Sequence, residues 1–339
     1  MSVDLSKYKN DFPILQRKVR GGNTLIYLDS GATSQKPEIV IEAEANFYRT
    51  KNAAVHRGAH LVAEEASEVY EGARENVARF IGAKSDEVIF TKSATESLNL
   101  IAYSLGNPES KFHLSSGDEI VVSEMEHHAN LIPWQQLAKR VGAKLTWFKI
   151  TDEGRLDLSD IDTLINKKTK IVAITHQSNV LGTIVPLAQI TKAAHAVGAV
   201  VVLDACQSVP HFAVDVKKLE VDFLAFSGHK AVGPTGVGIF WGRGELLADL
   251  PPFLTGGSMI ENVTMESATW AQAPKKFEAG VPNMAQAVGL GAALTYLTTI
   301  GIENIHRHEV ELTAYLLRGL STIKDLRIIG PATTELRGG

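Results

Sequence analysis

Short apolar runs, rich in β-branched residues, recur along most of the chain: "EVIFT" (87–91), "EIVVS" (119–123), "KIVAIT" (170–175), "AVVVLDA" (199–205), "DFLAFS" (222–227) and "GVGIFW" (236–241). Between most of them the apolar positions switch to helical spacing, notably over 94–106, 130–142 and 186–198. Continuously apolar strands alternating with crossover helices predict an α/β fold, a mainly parallel sheet with helices on both faces. On this pattern residues 22–283 form one large domain, with ligands gathering at the carboxyl ends of its strands. Residues 1–21 read as an N-terminal arm joining a smaller domain. That smaller α+β domain starts at 284, with two long helices over 284–322 broken near Gly301 and one strand, "DLRIIG" (325–330). A single strand leaves its ladder donors and acceptors unpaired, so 284–339 reads as an incomplete unit.

Composition narrows the function. Hydrophobic residues make up 45% and charged residues 21% of the 339, and the formal net charge is -4. These are globular values, with no field or basic cluster to attract nucleic acid or anionic lipid. The apolar stretch 196–205 is far too short to span a bilayer. One cysteine, Cys206, excludes an intramolecular disulfide and a cysteine-based metal cluster. Such usage suits a reducing cytoplasm. The opening "MSVDLSKYKNDFPIL" lacks the apolar core and cleavage site of a secretory signal, so a cytoplasmic location is expected.

The candidate chemistry lies just past the predicted strands. In "TKSATESLNLIA", Ser93 and Glu96 make a capping box, an ordinary helix start; the Ala94 amide and Thr95 at that helix N-terminus also make an anion site fit for a phosphate. In "EMEHHANLIPW", His127 and His128 lack the spaced partners of a metal site, so no metal is expected; an imidazole there could stack on a flat ring. Asn179 in "THQSNVLGT" reads as turn chemistry. Asp204 ends the most apolar run of the chain, where a carboxylate is costly unless it meets a cation or several donors. Gln207, three residues on, is within reach of the same ligand. Cys206 reads as structural, because a neighbouring carboxylate works against its thiolate.

"FSGHKAVGPTG" sets Lys230 between Ser227, Gly228 and His229 and a glycine-proline loop that is not a Walker motif. A surface lysine in a turn is the plain reading. Among a strand-end acid, a stacking histidine and a phosphate-binding helix start, however, an amine that sheds its proton to attack a carbonyl describes pyridoxal phosphate chemistry.

The segments "YLDSGATSQKP", "AAVHRGAH", "SATESLNLIA", "MEHHANLIPWQ", "ITHQSNVLGT", "DACQSVPH", "DFLAFSGHKAVGPTGVG" and "FEAGVPN" together resemble, in order and spacing, the SufS-type cysteine desulfurases of the class V aminotransferase superfamily. The resemblance spans about residues 10–330. It implies the aminotransferase-like fold of pyridoxal-phosphate-dependent transferases and a homodimer with active sites at the subunit interface. By this resemblance Lys230 forms the Schiff base and moves the Cα proton, His127 stacks on the cofactor ring, Asp204 pairs with the pyridinium nitrogen and Gln207 bonds the ring hydroxyl. Ala94, Thr95, Ser227 and His229 hold the phosphate, Asn179 the substrate carboxylate, and His56 and Arg57 line the entrance. The implied reaction takes L-cysteine to L-alanine and passes the sulfur, as an enzyme persulfide, to an acceptor protein of Fe-S cluster assembly.

Two departures from the family pattern carry expectations. Val281 stands where the family has a threonine that contacts the phosphate of the other subunit, so weaker cofactor retention is expected. The family's nucleophilic cysteine and carboxylate-binding arginine fall past residue 339, so these 339 residues are expected to turn over cysteine poorly. A selenocysteine lyase or another class V lyase or aminotransferase, and a non-catalytic scaffold for sulfur transfer, are the alternative readings.

Overall fold

The computed structural model describes residues 4–339. Nine strands form: β1 (Val88–Thr91), β2 (Glu119–Ser123), β3 (Lys144–Phe148), β4 (Thr169–Thr175), β5 (Val200–Asp204), β6 (Phe223–Ser227), β7 (Gly238–Gly242), β8 (Ile260–Val263) and β9 (Ala268–Trp270). The first seven make one sheet in the order β1-β7-β6-β5-β4-β2-β3, and the last two make a separate hairpin. Strands β6, β5, β4, β2 and β3 pair in parallel, while β7 is antiparallel to both β6 and β1. Only β7 therefore runs against the others, and six carboxyl ends lie along one edge of the sheet.

Both sheet faces are buried, which explains the continuous apolar runs. Side chains alternate along a strand, so Val201, Leu203, Leu224 and Phe226 enter one core and Val200, Val202, Phe223 and Ala225 the other. Fully burying each such Val, Leu or Phe contributes about 1.5–3 kcal/mol. Helices α1 (Glu38–Asn46), α2 (Leu61–Ile81), α3 (Ala94–Leu105), α4 (Ile132–Val141), α5 (Ile161–Leu164), α6 (Leu187–Ala196), α7 (Val216–Leu219), α8 (Gly244–Asp249), α9 (Met284–Ile300) and α10 (Ile302–Leu320) complete the chain. Tyr70 and Val77 of α2, Ile190 of α6 and Leu290 of α9 fill the first core. Leu98 of α3, Trp134 of α4 and Leu247 of α8 fill the second. The mainly parallel sheet covered on both faces is the expected one.

The three helices expected from periodicity form as α3, α4 and α6. α2 was not anticipated, although Ala63, Ala66, Tyr70, Ala73, Val77 and Ile81 are among its buried positions and recur every three or four residues. Three of these six are alanines, which weakens the apolar contrast. β3 was missed because it is an edge strand with its middle only half-buried. The break at Gly301 is present: φ is 91° there, a backbone conformation that favours glycine, and α10 leaves α9 at 71°. No single helix among the described residues is long and apolar enough to cross a membrane.

The predicted strand at 325–330 does not form, and this expectation is corrected. The segment is irregular, and the Leu326 N–H donates to Ile323 O in a turn instead. A strand needs a neighbour to take its ladder bonds, and no neighbouring strand pairs with this one. Near the end of the chain the backbone makes only an isolated bridge, Thr183 with Arg337. At the other end, Tyr296 of α9 meets Tyr8 and Phe12 edge-on at 6.1 and 6.2 Å and donates its hydroxyl to Asp11 at 2.8 Å.

Candidate active site

The carboxyl edge of the sheet opens into a cavity of about 420 Å³. Strand β6 ends at Ser227, and a single 3-10 turn, Gly228–Lys230, delivers Lys230 to the cavity wall. Next to β6 in the sheet order come β5, which ends at Asp204, β4, which ends at Thr175, and β2, which ends at Ser123 and leads into His127; Asp204, Thr175 and His127 all line the same space. Helix α3 starts there as well. It can approach the sheet this closely because residue 238 is glycine: a Cβ at that position would fall 2.5 Å from Ser93 Cα.

Ala94, Thr95, His127, Asn179, Asp204, Gln207, Ser227, His229 and Lys230 thus share one cavity. His56 and Arg57 do not line it. They line a separate cleft of about 90 Å³ with Tyr70, Ser258, Glu278 and Val281. His56 sits at φ 60° and its Nε2 lies 3.0 Å from Glu71, while Arg57 Nε donates to Ser258 Oγ at 2.9 Å. Lining residues that the sequence reading did not single out are Gly31, Ala32, Ala129, Thr175 and Gln177. Each is small or neutral, so no charge marked it; Thr175 and Gln177 were signalled only by following an apolar strand.

The side chains are held by local geometry. At the α3 start, the Glu96 N–H donates to Ser93 Oγ at 3.3 Å, but the Glu96 carboxylate returns to the Lys92 N–H at 2.6 Å. The expected capping box is therefore shifted by one residue on its return arm. The Ala94 N–H donates to Ser227 Oγ at 2.9 Å, tying the helix start to the end of β6. Asp204 is buried at 4% exposure, and its Oδ1 accepts the Cys206 N–H at 3.0 Å. Gln207 Nε2 donates to Gly31 O at 2.8 Å, which draws the 29–33 turn over the cavity.

Electrostatics in the cavity follow from desolvation. His127 is exposed, yet partial desolvation holds its imidazolium below its ordinary range; Asp204 pulls the other way, while Lys230 and His128 push further down. His229 is lowered by burial and by the Lys230 and Lys36 charges. Both imidazoles are thus biased towards the neutral form. Burial pushes the Cys206 thiol up and the Asp204 carboxylate adds to it, so this thiol is a poor source of thiolate.

A further carboxyl immediately precedes His127 in the chain. Glu126 is buried and accepts from Ser123 Oγ at 2.5 Å, Asn130 Nδ2 at 2.6 Å and the Thr175 N–H at 3.0 Å; Asn130 Oδ1 in turn accepts from Trp134 Nε1 at 3.0 Å. Burial pushes Glu126 up to about 8 against these three donors, with Asp204 adding to the rise. The network ties β2, β4 and α4 together just under the site.

The donor set suits pyridoxal phosphate. An amine, a buried carboxylate for a ring cation and a helix N-terminus for a dianion stand around one cavity, and the buried Gln177 Oε1 has no protein partner. Likeness to known proteins agrees with this chemistry. The class-V aminotransferase family model matches residues 26–339. A probable cysteine desulfurase of Streptomyces coelicolor is 56% identical over 99% of this chain and 81% of its own length, and a cysteine desulfurase of Haloferax volcanii is 45% identical over the same shares. Among solved structures, the apo cysteine desulfurase of Thermococcus onnurineus superposes with a TM-score of 0.92 at 40% identity, covering 100% of this chain and 82% of that one. The cysteine desulfurase CsdA of Escherichia coli gives 0.85 at 38% identity, over 96% and 79%.

The fold and the sequence make the chain a class-V aminotransferase. Within that family it belongs to the cysteine desulfurases.

Proposed function

We propose that the chain holds pyridoxal 5'-phosphate on Lys230 and desulfurates L-cysteine to L-alanine, passing the sulfur to an acceptor protein of Fe-S cluster assembly. The observation that carries this reading is the meeting of Lys230, Asp204, His127 and the α3 start in one cavity. Bound there, the cofactor supplies a sink for the electron pair left on the substrate Cα.

The residues divide the remaining work. The buried Asp204 carboxylate favours a protonated ring nitrogen, since a cation repays its desolvation. His127, biased towards the neutral form, would pack against the cofactor ring and keep water from it. Ala94, Thr95, Ser227 and His229 hold the phosphate, with the helix N-terminus contributing partial positive charge. Gln207 bonds the ring hydroxyl while its amide is braced on Gly31. Asn179 orients the substrate carboxylate. With the cofactor bound, the Lys230 amine would be the group that takes the Cα proton and returns a proton to the product.

Sulfur transfer needs a thiolate that attacks the substrate sulfur. The Cβ–S bond breaks with its electron pair going to Cβ, which takes up a proton equivalent to the one the attacking thiol gave up and becomes the alanine methyl, and the thiol is left as a persulfide. Cys206 does not fill this role, because it neighbours the ring-binding acid and its thiol is raised. The receiving thiol is therefore other than the single cysteine of these 339 residues.

The functional unit is a homodimer. His56, Arg57 and Val281 gather in a cleft of their own, apart from the Lys230 cavity, as suits residues that serve the site of a second copy. The single cysteine is in keeping with work in the reducing cytoplasm.

The test is covalent loading. Protein incubated with pyridoxal phosphate and reduced with borohydride should gain the mass of one cofactor less water plus two hydrogens, mapped by peptide to Lys230 and lost in Lys230→Ala. Loading at other lysines, or unchanged loading in the variant, would refute the assignment. Alanine release from cysteine, compared with selenocysteine and cysteine sulfinate, then fixes the substrate.

A further inference from the structure

One carbonyl next to the reactive lysine is held with unusual redundancy. His229 O, the oxygen of the peptide that leads into Lys230, accepts from Lys36 Nζ at 2.9 Å, Ser34 Oγ at 2.9 Å, the Ser34 N–H at 3.1 Å and Thr33 Oγ1 at 3.3 Å. A carbonyl oxygen has two lone pairs, so the four donors that converge on it exceed its capacity. The same Ser34 hydroxyl accepts the Val232 N–H at 2.9 Å, and Thr33 Oγ1 also meets His229 Nδ1 at 3.1 Å. Segment 33–36 thereby grips both sides of Lys230 from almost two hundred residues away in sequence.

Lys36 is the costly member of this grip. Its ammonium is half-buried and bonds Ser34 O besides His229 O. Burial alone lowers it to about 8, with no carboxylate compensating. A charged group set against backbone carbonyls without a counter-ion is expensive unless those bonds matter. A neutral turn would have closed 33–37 without it. The grip takes hold of the 229–232 backbone and the His229 ring and not of the Lys230 side chain, so it fixes where the Lys230 Cα sits and leaves its amine free to move.

We propose that Lys36, acting with Ser34, is a positioning residue that locks the 229–232 backbone so that the Lys230 amine meets the cofactor carbonyl in reactive geometry. This rests on the reading of Lys230 as the cofactor lysine. A displacement of about 1 Å at a reacting group can cost on the order of a hundredfold in rate. Loosening one of several clamps should give a part of that.

The experiment compares apo full-length protein with Lys36→Met and Lys36→Arg. The first keeps the length of the side chain without its charge, and the second restores donors and charge. The readouts are the rate of covalent loading of Lys230 by added pyridoxal phosphate, trapped with borohydride and mapped by mass, and the unfolding temperature of each apo protein. We expect Lys36→Met to load about tenfold more slowly or worse, Lys36→Arg to recover most of the rate, and both apo proteins to unfold near the wild-type temperature. Wild-type loading in Lys36→Met would overturn the proposal. So would slow loading that tracks a lower unfolding temperature and is not recovered by arginine, since that is a purely structural role. If the wild-type protein does not load at Lys230 at all, the cofactor reading itself falls and takes this proposal with it.

Discussion

Replacing Glu126 by glutamine should change the stability of the protein by an amount that depends on pH, and the sign of that dependence is fixed by burial. The folded carboxyl sits at about 8 against an ordinary value of 4.5, raised by desolvation in spite of three donors. A raised acid binds its proton more tightly folded than unfolded. Between about pH 4.5 and 8 the unfolded chain loses this proton while the folded one keeps it, so the wild type loses stability as pH rises through that window and levels off above it. At about 1.4 kcal/mol per pH unit the whole window sets an upper limit of roughly 5 kcal/mol. Glutamine does not titrate, so it escapes this loss. It carries a fixed cost instead, because Asn130 Nδ2 then faces an amide NH2 and cannot flip without unpairing Trp134 Nε1. That cost is about 1–3 kcal/mol at any pH. Glu126→Gln should therefore be the less stable protein at pH 5 and should gain on the wild type steadily up to pH 8. Urea unfolding of both proteins at four pH values in this range reads the difference directly. A difference that stays constant across the range would show that Glu126 is ionised throughout and that the three donors outweigh burial.

Arg74 is 2% exposed and bonds Glu278 through both amino nitrogens, as well as Glu71 and Val88 O. Arg74→Met should cost about 3–5 kcal/mol by stranding the Glu278 carboxylate, and the double variant with Glu278→Gln should recover part of it; a loss below about 1 kcal/mol in urea unfolding would contradict this. Val281 cannot donate the hydrogen bond that the family threonine gives a phosphate, so Val281→Thr should tighten cofactor retention about tenfold or more, as dialysis against increasing volumes would reveal; an unchanged dissociation constant refutes it. Asp204→Asn should keep covalent loading at Lys230 while cutting exchange of the cysteine Cα proton with deuterated water, a step that needs no receiving thiol, by at least about a hundredfold, because a neutral amide does not hold a ring cation. Equal exchange in the two proteins would remove Asp204 from its role.

Some of this protein was legible in its sequence for a plain reason. Strands buried on both faces must be apolar at every position, so β4, β5 and β6 announce themselves as runs, and the residues just past them are the candidates for chemistry. Asp204 and Lys230 stand out because a charge at the end of such a run requires an explanation. Helix α2 was less legible, since alanines on its buried face lower the contrast that periodicity depends on. The strand at 325–330 was misread for the opposite reason: its apolar pattern is real, but a pattern does not supply the neighbour that takes its hydrogen bonds.

What the chain alone determined is thus the kind of element at each place and the chemical types gathered after the strands, because burial and backbone propensity act over a few residues. Only the tertiary structure decided which of those elements are neighbours. The sheet order brings Ala94, His127, Asn179, Asp204 and Lys230 to one cavity while leaving His56 and Arg57 at another. It also sets Lys36 on the carbonyl of His229 and Glu126 among donors from β2, β4 and the turn before α4. Such contacts cross long stretches of chain, and their energies depend on distance and desolvation, two quantities that exist only once the chain has folded.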